Sequence, residues 1–169
     1  MSTNDNESQA NARENLTLRV LEIVRGTTVD GPGLRTSIYI AGCRHKCPGC
    51  HNPHSWDFSG GNAMTLDEIM DVVKEEQFGV TLTGGDPLYH PREIAILIDM
   101  IHTEALDVWL YTGFTKEEII ADSDLLNVAR KADAIVEGRY IASLRDETLR
   151  FRGSSNQRIL FPPEDFISL

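Results

Sequence analysis

Runs of β-branched and aromatic residues alternate along this chain with helical patterns, and this alternation constrains the fold most. The predicted strands are residues 16–24, 36–41, 79–83, 107–111, 134–137 and 158–161. Two helices are predicted to begin at capping boxes, Thr65 with Glu68 and Thr115 with Glu118, and a third begins at Pro91. This order predicts an α/β fold in which helices cover a mainly parallel sheet.

Polar or glycine-rich loops follow four of the predicted strands, at the point where each strand ends. They begin near residues 42, 84, 112 and 138. The carboxyl ends of parallel strands share one edge of a sheet, and ligands bind at that edge. Each loop alone fits ordinary turn chemistry, but together the four loops predict one binding site.

All three cysteines of the chain lie in the stretch CRHKCPGC, as Cys43, Cys47 and Cys50. A 4Fe–4S cluster normally takes four cysteines, so three thiolates would leave one iron open. An open coordination position is typical of a catalytic metal site rather than a structural one. The spacing therefore favours an iron–sulfur cluster that acts on a small molecule bound to its fourth iron.

Two other interpretations of the cysteines stay open from spacing alone. His45, His51 or His54 could complete a structural zinc site with three cysteines, although zinc sites usually use two separated ligand pairs. A disulfide is not expected, because one of three thiols would be left over and nothing suggests secretion.

The spacing C-x-x-x-C-x-x-C resembles the signature of the radical S-adenosylmethionine (radical SAM) enzymes. The stretches VDGPGLRTSIYIAGCRHKCPGCHNPHSWDF, TLTGGDPL, WLYTGF and LRFRGSSNQRIL are similar to the activating proteins of anaerobic (class III) ribonucleotide reductase. They follow that family's order from about Val29 to Leu160. The combination of GSSNQ, GGDPL and a short chain makes the resemblance specific.

This resemblance implies a partial, open (β/α) barrel of mainly parallel strands, of the radical SAM type. It implies one 4Fe–4S cluster on the three cysteines and S-adenosyl-L-methionine on the open iron. Reductive cleavage of that cofactor would give a 5′-deoxyadenosyl radical, which takes hydrogen from a glycine and leaves a glycyl radical. The implied partners are the reductase large subunit that carries the glycine and a low-potential electron donor such as a flavodoxin.

The resemblance also assigns residues to the cofactor. The backbone of Gly84 and Gly85 would approach its methionine end and Asp86 would accept from its ammonium group, although GGDP is also good turn chemistry. Gly49 replaces the aromatic residue of many superfamily members, and Glu137 stands where the family has aspartate. The complete expected set is Gly49, Cys50, His51, Gly84, Gly85, Asp86, Thr112 and Glu137.

A basic segment near the C-terminus is a candidate docking surface for the partner protein. Its residues are Arg150, Arg152, Ser154, Ser155, Asn156 and Gln157. Local positive charge in an otherwise acidic chain can steer a partner, but the same residues fit solvated charges that flank an edge strand.

Length and charge set the remaining expectations. A chain of 169 residues fits one domain, here residues 16–169, with 1–15 as a disordered polar extension. The net charge of −10 does not favour nucleic acid, and no apolar run approaches the roughly 20 residues of a membrane helix. Unpaired thiols favour the cytoplasm.

Two alternative functions remain. One is a different radical SAM enzyme, either a pyruvate formate-lyase-type activase or an enzyme of small molecules. The other is a structural zinc or electron-transfer module.

Overall fold

The computed structural model describes residues 16–167, which form seven strands and five α-helices. The strands are β1 (Thr17–Thr27), β2 (Arg35–Ile40), β3 (Asn62–Thr65), β4 (Gly79–Gly84), β5 (Val108–Tyr111), β6 (Ala134–Glu137) and β7 (Arg158–Leu160). The helices are α1 (Leu66–Glu76), α2 (Pro91–Thr103), α3 (Lys116–Ala121), α4 (Ser123–Ala129) and α5 (Glu164–Ile167). The extension predicted at 1–15 lies outside the described residues.

All seven strands belong to one sheet in the order β3-β1-β2-β4-β5-β6-β7. The central strands β2, β4, β5 and β6 pair in parallel. The flanking strands β1, β3 and β7 pair antiparallel with their neighbours. The prediction of an α/β fold built as a partial, open barrel is confirmed, with antiparallel strands added at both edges.

Two strands differ from the sequence prediction by more than one residue at an end. β1 continues three residues further, to Thr27, because it pairs with β2 along most of its length. β3 was not predicted at all. Its sequence NAMT contains only one β-branched residue and is largely exposed, so pairing with β1 rather than local propensity makes it a strand.

Both predicted capping boxes are present. Thr65 Oγ1 accepts from the Glu68 amide at 3.1 Å, and the Glu68 carboxylate accepts from the Thr65 amide at 2.7 Å. Thr115 and Glu118 make the same pair of bonds at 3.2 and 2.8 Å. These bonds satisfy amides that the first helical turn leaves without partners.

Alternation along the strands divides the sheet into two faces. Ile38, Leu82 and Leu110 pack in the main core with residues of α1, α2 and α4. Their neighbours Tyr39 and Tyr111 point to the opposite face, where they line a cavity. Helices therefore cover one face, while the other face and its carboxyl edge carry the site. Within residues 16–167, no helix has the length and apolar character that crossing a membrane requires.

Candidate functional site

The three cysteines line one cavity of about 360 Å³ at the carboxyl edge of the parallel strands. Loops that are far apart in sequence complete its wall, and each follows a different strand. The loops after β4, β5 and β6, together with the turn before β7, line the cavity with Gly84, Gly85, Thr112, Gly113, Gly138, Tyr140, Gly153 and Gln157. The structure thus brings together the four loops that the sequence predicted to converge.

The cysteine loop is held at its base by backbone hydrogen bonds. The amide of Gly42 donates to Ser55 O at 2.8 Å, and that of Cys43 donates to Trp56 O at 3.3 Å. Further along the loop, the amide of Asn52 donates to Cys50 Sγ at 3.4 Å. Hydrogen bonds within the protein therefore fix the path of the cysteine loop.

All three thiols are free, and the surroundings of Cys43 and Cys47 oppose their ionisation in the apoprotein. Burial raises the pKa of Cys43, although the amides of His45 and Lys46 act in the opposite direction. Burial also raises the pKa of Cys47, against the amide of Tyr140. Because a thiolate is the metal-binding form, metal binding must displace the thiol proton.

The donor set fits an iron–sulfur cluster better than a single ion. Among the residues that the structure describes, no three His, Cys, Asp or Glu side chains converge closely enough to hold one metal ion. Zinc would need its ligands at about 2.0–2.3 Å, whereas each thiolate of a cluster binds a separate iron. Three cysteines around one cavity match the second arrangement.

The carboxylate of Asp86 accepts hydrogen bonds from several loops of the site, and Asp86 is absent from the lining of the cavity. Its side chain is fully buried, and Oδ2 accepts from Thr112 Oγ1 and the Gly113 amide, both at 2.9 Å. Oδ2 also meets His45 Nε2 at 2.8 Å, and Oδ1 accepts from the Leu88 amide at 3.0 Å. Protein donors thus hold this carboxylate in place, and its expected contact with the cofactor ammonium stays a prediction.

The two glycines before Asp86 are required by close packing. Gly84 has φ +108°, and a Cβ there would lie 2.4 Å from Ile40 N. A Cβ on Gly85 would lie 2.5 Å from Gly42 O. The glycines thus let this loop approach the end of β2, and they still line the cavity as expected.

Glu137 lies on the opposite side of the sheet from the cavity. It follows Ile135 by two residues, so alternation places both side chains on the helix-covered face. Its buried carboxylate accepts from the Lys116 amide at 2.9 Å and pairs with Arg158. Glu137 thus bonds to the start of α3 and is absent from the cavity wall, and its expected cofactor contact stays a prediction, whereas Thr112 does line the cavity.

The two residues that flank Cys50, Gly49 and His51, are placed differently in the structure. His51 lines the cavity, and its ring centroid lies 4.8 Å from that of Tyr140. Gly49 has φ +77°, a conformation that favours glycine, and does not belong to the cavity wall. The turn explains why glycine stands there in place of an aromatic residue.

The GSSNQ segment is part of the cavity wall. Gln157 Oε1 accepts from the amides of Gly153 and Ser154 at 2.9 and 3.2 Å, and Nε2 donates to Gly138 O at 2.9 Å. Arg152 is half-buried and donates to Gln157 O at 3.0 Å. The segment is therefore fastened to the loop after β6.

Only part of the predicted docking segment is available at the surface. Ser154 is buried, and its hydroxyl accepts from the Ile141 amide at 3.2 Å. Ser155 and Asn156 are exposed, and Arg150 is exposed beside the Phe151 ring.

Two tyrosines of the cavity wall, Tyr39 and Tyr111, were not among the residues predicted from the sequence. Tyr39 Oη donates to Asp30 Oδ2 at 2.7 Å, and burial raises the pKa of both Tyr39 and Tyr111. Both alternate with core residues on strands whose carboxyl ends carry site loops. That alternation was the signal that could have placed them.

Comparison with known proteins agrees with this site. A family model described as "4Fe-4S single cluster domain" matches residues 29–160. The anaerobic ribonucleoside-triphosphate reductase-activating protein of Salmonella typhimurium is 37% identical over 144 residues, which cover 76% of this chain and 89% of that protein. The Escherichia coli K12 protein of the same name is 36% identical, with the same coverage. The chain belongs to this family.

A phage protein and one solved structure are also similar to this chain. The protein of the same name from Enterobacteria phage T4 is 36% identical over 139 residues, 78% of this chain and 86% of that protein. Among solved structures, QueE from Escherichia coli matches with a TM-score of 0.53 at 17% identity, over 63% of this chain and 56% of that one. At that identity the likeness shows a shared fold and nothing more.

Proposed function

We propose that this protein is a radical SAM activase that generates a glycyl radical on an anaerobic ribonucleotide reductase. The observation that carries the proposal is the convergence of all three cysteines with the GGD and GSSNQ loops on one cavity. The name shared by the relatives supports the reductase as the protein acted upon.

Each part of the cavity has a proposed role. Cys43, Cys47 and Cys50 hold the 4Fe–4S cluster, and the cluster with bound S-adenosyl-L-methionine supplies the 5′-deoxyadenosyl radical chemistry. Backbone groups of Gly84 and Gly85, which line the cavity, would pair with the amino acid end of that cofactor. His51, which lines the same cavity, would contact its adenosine end.

The accessible face of the sheet suits a protein substrate. Within residues 16–167, the helices of the main core cover the face of the sheet that lies opposite the cavity. A loop of a partner protein can therefore reach the cavity directly. We propose that the target glycine enters on such a loop, and that the exposed residues Arg150, Ser155 and Asn156 contact the partner. A low-potential donor such as a flavodoxin would supply the electron, and the cytoplasm is the proposed compartment.

The proposal is tested with anaerobically reconstituted protein, a strong reductant and S-adenosyl-L-methionine. We expect 5′-deoxyadenosine, and with anaerobic ribonucleotide reductase present we expect a glycyl radical signal in electron paramagnetic resonance. Cys47→Ala should abolish both products with little change in fold, because Cys47 is only half-buried and lies outside the main core.

The outcomes separate the alternatives. A glycyl radical on pyruvate formate-lyase but not on the reductase would assign a different partner. A colourless protein that binds zinc and leaves S-adenosyl-L-methionine intact would replace the enzyme with a binding module. An active Cys47→Ala protein would contradict the ligand assignment.

A further inference from the structure

The cysteine loop has two sides, and only one of them faces the cavity. The three cysteines line the cavity. The residues between them that are exposed and absent from the cavity lining are Arg44, Lys46, Pro48 and Gly49. We call these four residues the outer face of the cysteine loop. A single layer of chain therefore lies between this outer face and the thiols that are proposed to hold the cluster.

The outer face is positively charged, although the chain as a whole has a net charge of −10. Its two long side chains, Arg44 and Lys46, are both cationic. Within residues 16–167, neither of them pairs with a carboxylate. Arg139 and Arg158, by comparison, are both held by glutamates. The charge of the outer face is therefore available to a partner.

Aromatic rings hold the Arg44 side chain in place. Its guanidinium carbon lies 5.4 Å from the centre of the Phe58 ring and 6.0 Å from the centre of the Tyr89 ring. Tyr89 packs in turn against Phe114, with 5.1 Å between the ring centroids. A guanidinium that is already oriented loses less conformational freedom when it binds a carboxylate. Arg44 is thus suited to a charged contact with another protein.

An electron donor has to come close to the cluster, because the rate of electron transfer falls steeply with distance. The cavity side is not available to it during the reaction, since the proposed function places S-adenosyl-L-methionine and the glycine loop of the reductase there. The outer face approaches the same cysteines from the other side of the loop. A protein docked on the outer face can therefore deliver an electron while the cavity is occupied.

We propose that the outer face of the cysteine loop is the docking surface for an acidic electron-transfer protein. One electron leaves the donor, which is oxidised, and enters the cluster, which is reduced. The acidic remainder of the chain repels such a donor, so the positive surface beside the cluster is favoured. This inference rests on the proposed function, because it needs the cluster, but not on which protein carries the target glycine.

The test is a calorimetric titration of the reconstituted full-length protein with oxidised flavodoxin, an acidic flavoprotein, at low salt and without S-adenosyl-L-methionine. Because both proteins are oxidised, no electron moves and the dissociation constant does not depend on the cluster potential. We expect Arg44→Gln combined with Lys46→Gln to weaken binding roughly 5- to 20-fold. Added salt should weaken binding of the wild-type protein more than that of the variant.

The matched control is Lys74→Gln combined with Arg130→Gln. Both residues are exposed, and they lie at the ends of α1 and α4, near the amino edge of the sheet. This control makes the same change in net charge far from the cysteine loop. It should bind flavodoxin within about 2-fold of wild type, because local charge rather than total charge directs docking.

Each outcome decides the proposal. Equal weakening in the two double variants would overturn it, because net charge alone would then explain the effect. Unchanged binding in the outer-face variant would also overturn it. If that variant loses affinity for the reductase and keeps its affinity for flavodoxin, the outer face belongs to the reductase and the proposal is wrong. If the double variant does not fold, Lys46→Gln alone replaces it in the same comparison.

The same samples separate this inference from the proposed function. A wild-type protein that holds its cluster and does not bind flavodoxin would contradict only the docking surface. A wild-type protein that forms no cluster on reconstitution would contradict the proposed function and, with it, the docking surface.

Discussion

At the scale of single residues, the carboxylate of Asp86 organises the site. It is fully buried and accepts from the side chains of His45 and Thr112 and from two backbone amides. Removing the carboxylate from such a buried polar group leaves its partners without their acceptor in a largely buried place. The structure therefore gives Asp86 a role in holding the loops as well as in shaping the cavity.

We expect Asp86→Ala to lower the free energy of unfolding of the apoprotein by about 3–5 kcal/mol, because four donors lose their acceptor. Urea denaturation followed by circular dichroism measures the change. Asp71→Ala removes an exposed carboxylate of α1 and should change stability by no more than about 0.5 kcal/mol. Equal losses in the two variants would show that the Asp86 contacts contribute no net stability.

At the scale of elements, an ion pair connects the start of α3 with the loop after β6. Glu118 completes the capping box of α3, and both its oxygens accept from Arg139, at 2.8 and 3.0 Å. The hydrogen bond with Arg139 is the main reason that the pKa of Glu118 falls to about 2. The pair thus fixes the loop that leads to the cavity residue Tyr140.

This lowered pKa predicts how stability depends on pH. The carboxylate is favoured in the folded state, so its contribution is complete above pH 4.5 and is lost as the pH falls towards about 2. Both side chains are about two-fifths exposed, and solvent screening limits the contribution to about 1 kcal/mol. Between pH 4.5 and about 2, the free energy of unfolding of the wild-type apoprotein should fall more than that of Glu118→Gln. Urea titrations at a series of pH values measure both.

The matched control is Glu93→Gln, because Glu93 occupies the first turn of α2 and has no arginine partner within residues 16–167. Its acid profile should follow wild type. Parallel profiles for wild type and Glu118→Gln would show that the ion pair contributes nothing in solution.

At the scale of the whole molecule, the distribution of charge bears on the partner. The chain carries a net charge of −10, and Arg158 is already paired with Glu117 and Glu137. Arg152 is half-buried against the backbone of Gln157. Arg150 is thus the most suitable arginine for testing whether the segment before β7 steers the reductase, because its substitution does not disturb these contacts.

We expect Arg150→Glu to slow glycyl radical formation on the reductase by roughly 3- to 10-fold at low salt, because long-range steering weakens. Cleavage of S-adenosyl-L-methionine without the reductase should stay near wild type, since Arg150 does not line the main cavity. Radical yield and 5′-deoxyadenosine are measured in the same samples. Arg130→Glu, at the end of α4 near the amino edge of the sheet, is the control.

A parallel fall of both products in Arg150→Glu would place this residue in the cofactor site. No change in either product would remove it from the docking surface.

Local sequence patterns predicted the proposed cysteine ligands and most of the helices and strands. The three cysteines lie within eight residues, so their convergence needs only one loop. The capping boxes at Thr65 and Thr115 involve residues three positions apart, and the predicted strands are rich in β-branched and aromatic residues. Such short-range features can be read without knowing what packs against them.

Only the tertiary structure decided which way the polar residues of the site face. Glu137 points to α3 because sheet alternation continues through it, and Asp86 turns inward because Gly84 and Gly85 let its loop approach β2. The partner of His45 lies 41 residues away in sequence. These contacts depend on the pairing of β2 with β4 and β5, which long-range packing sets and local sequence does not encode.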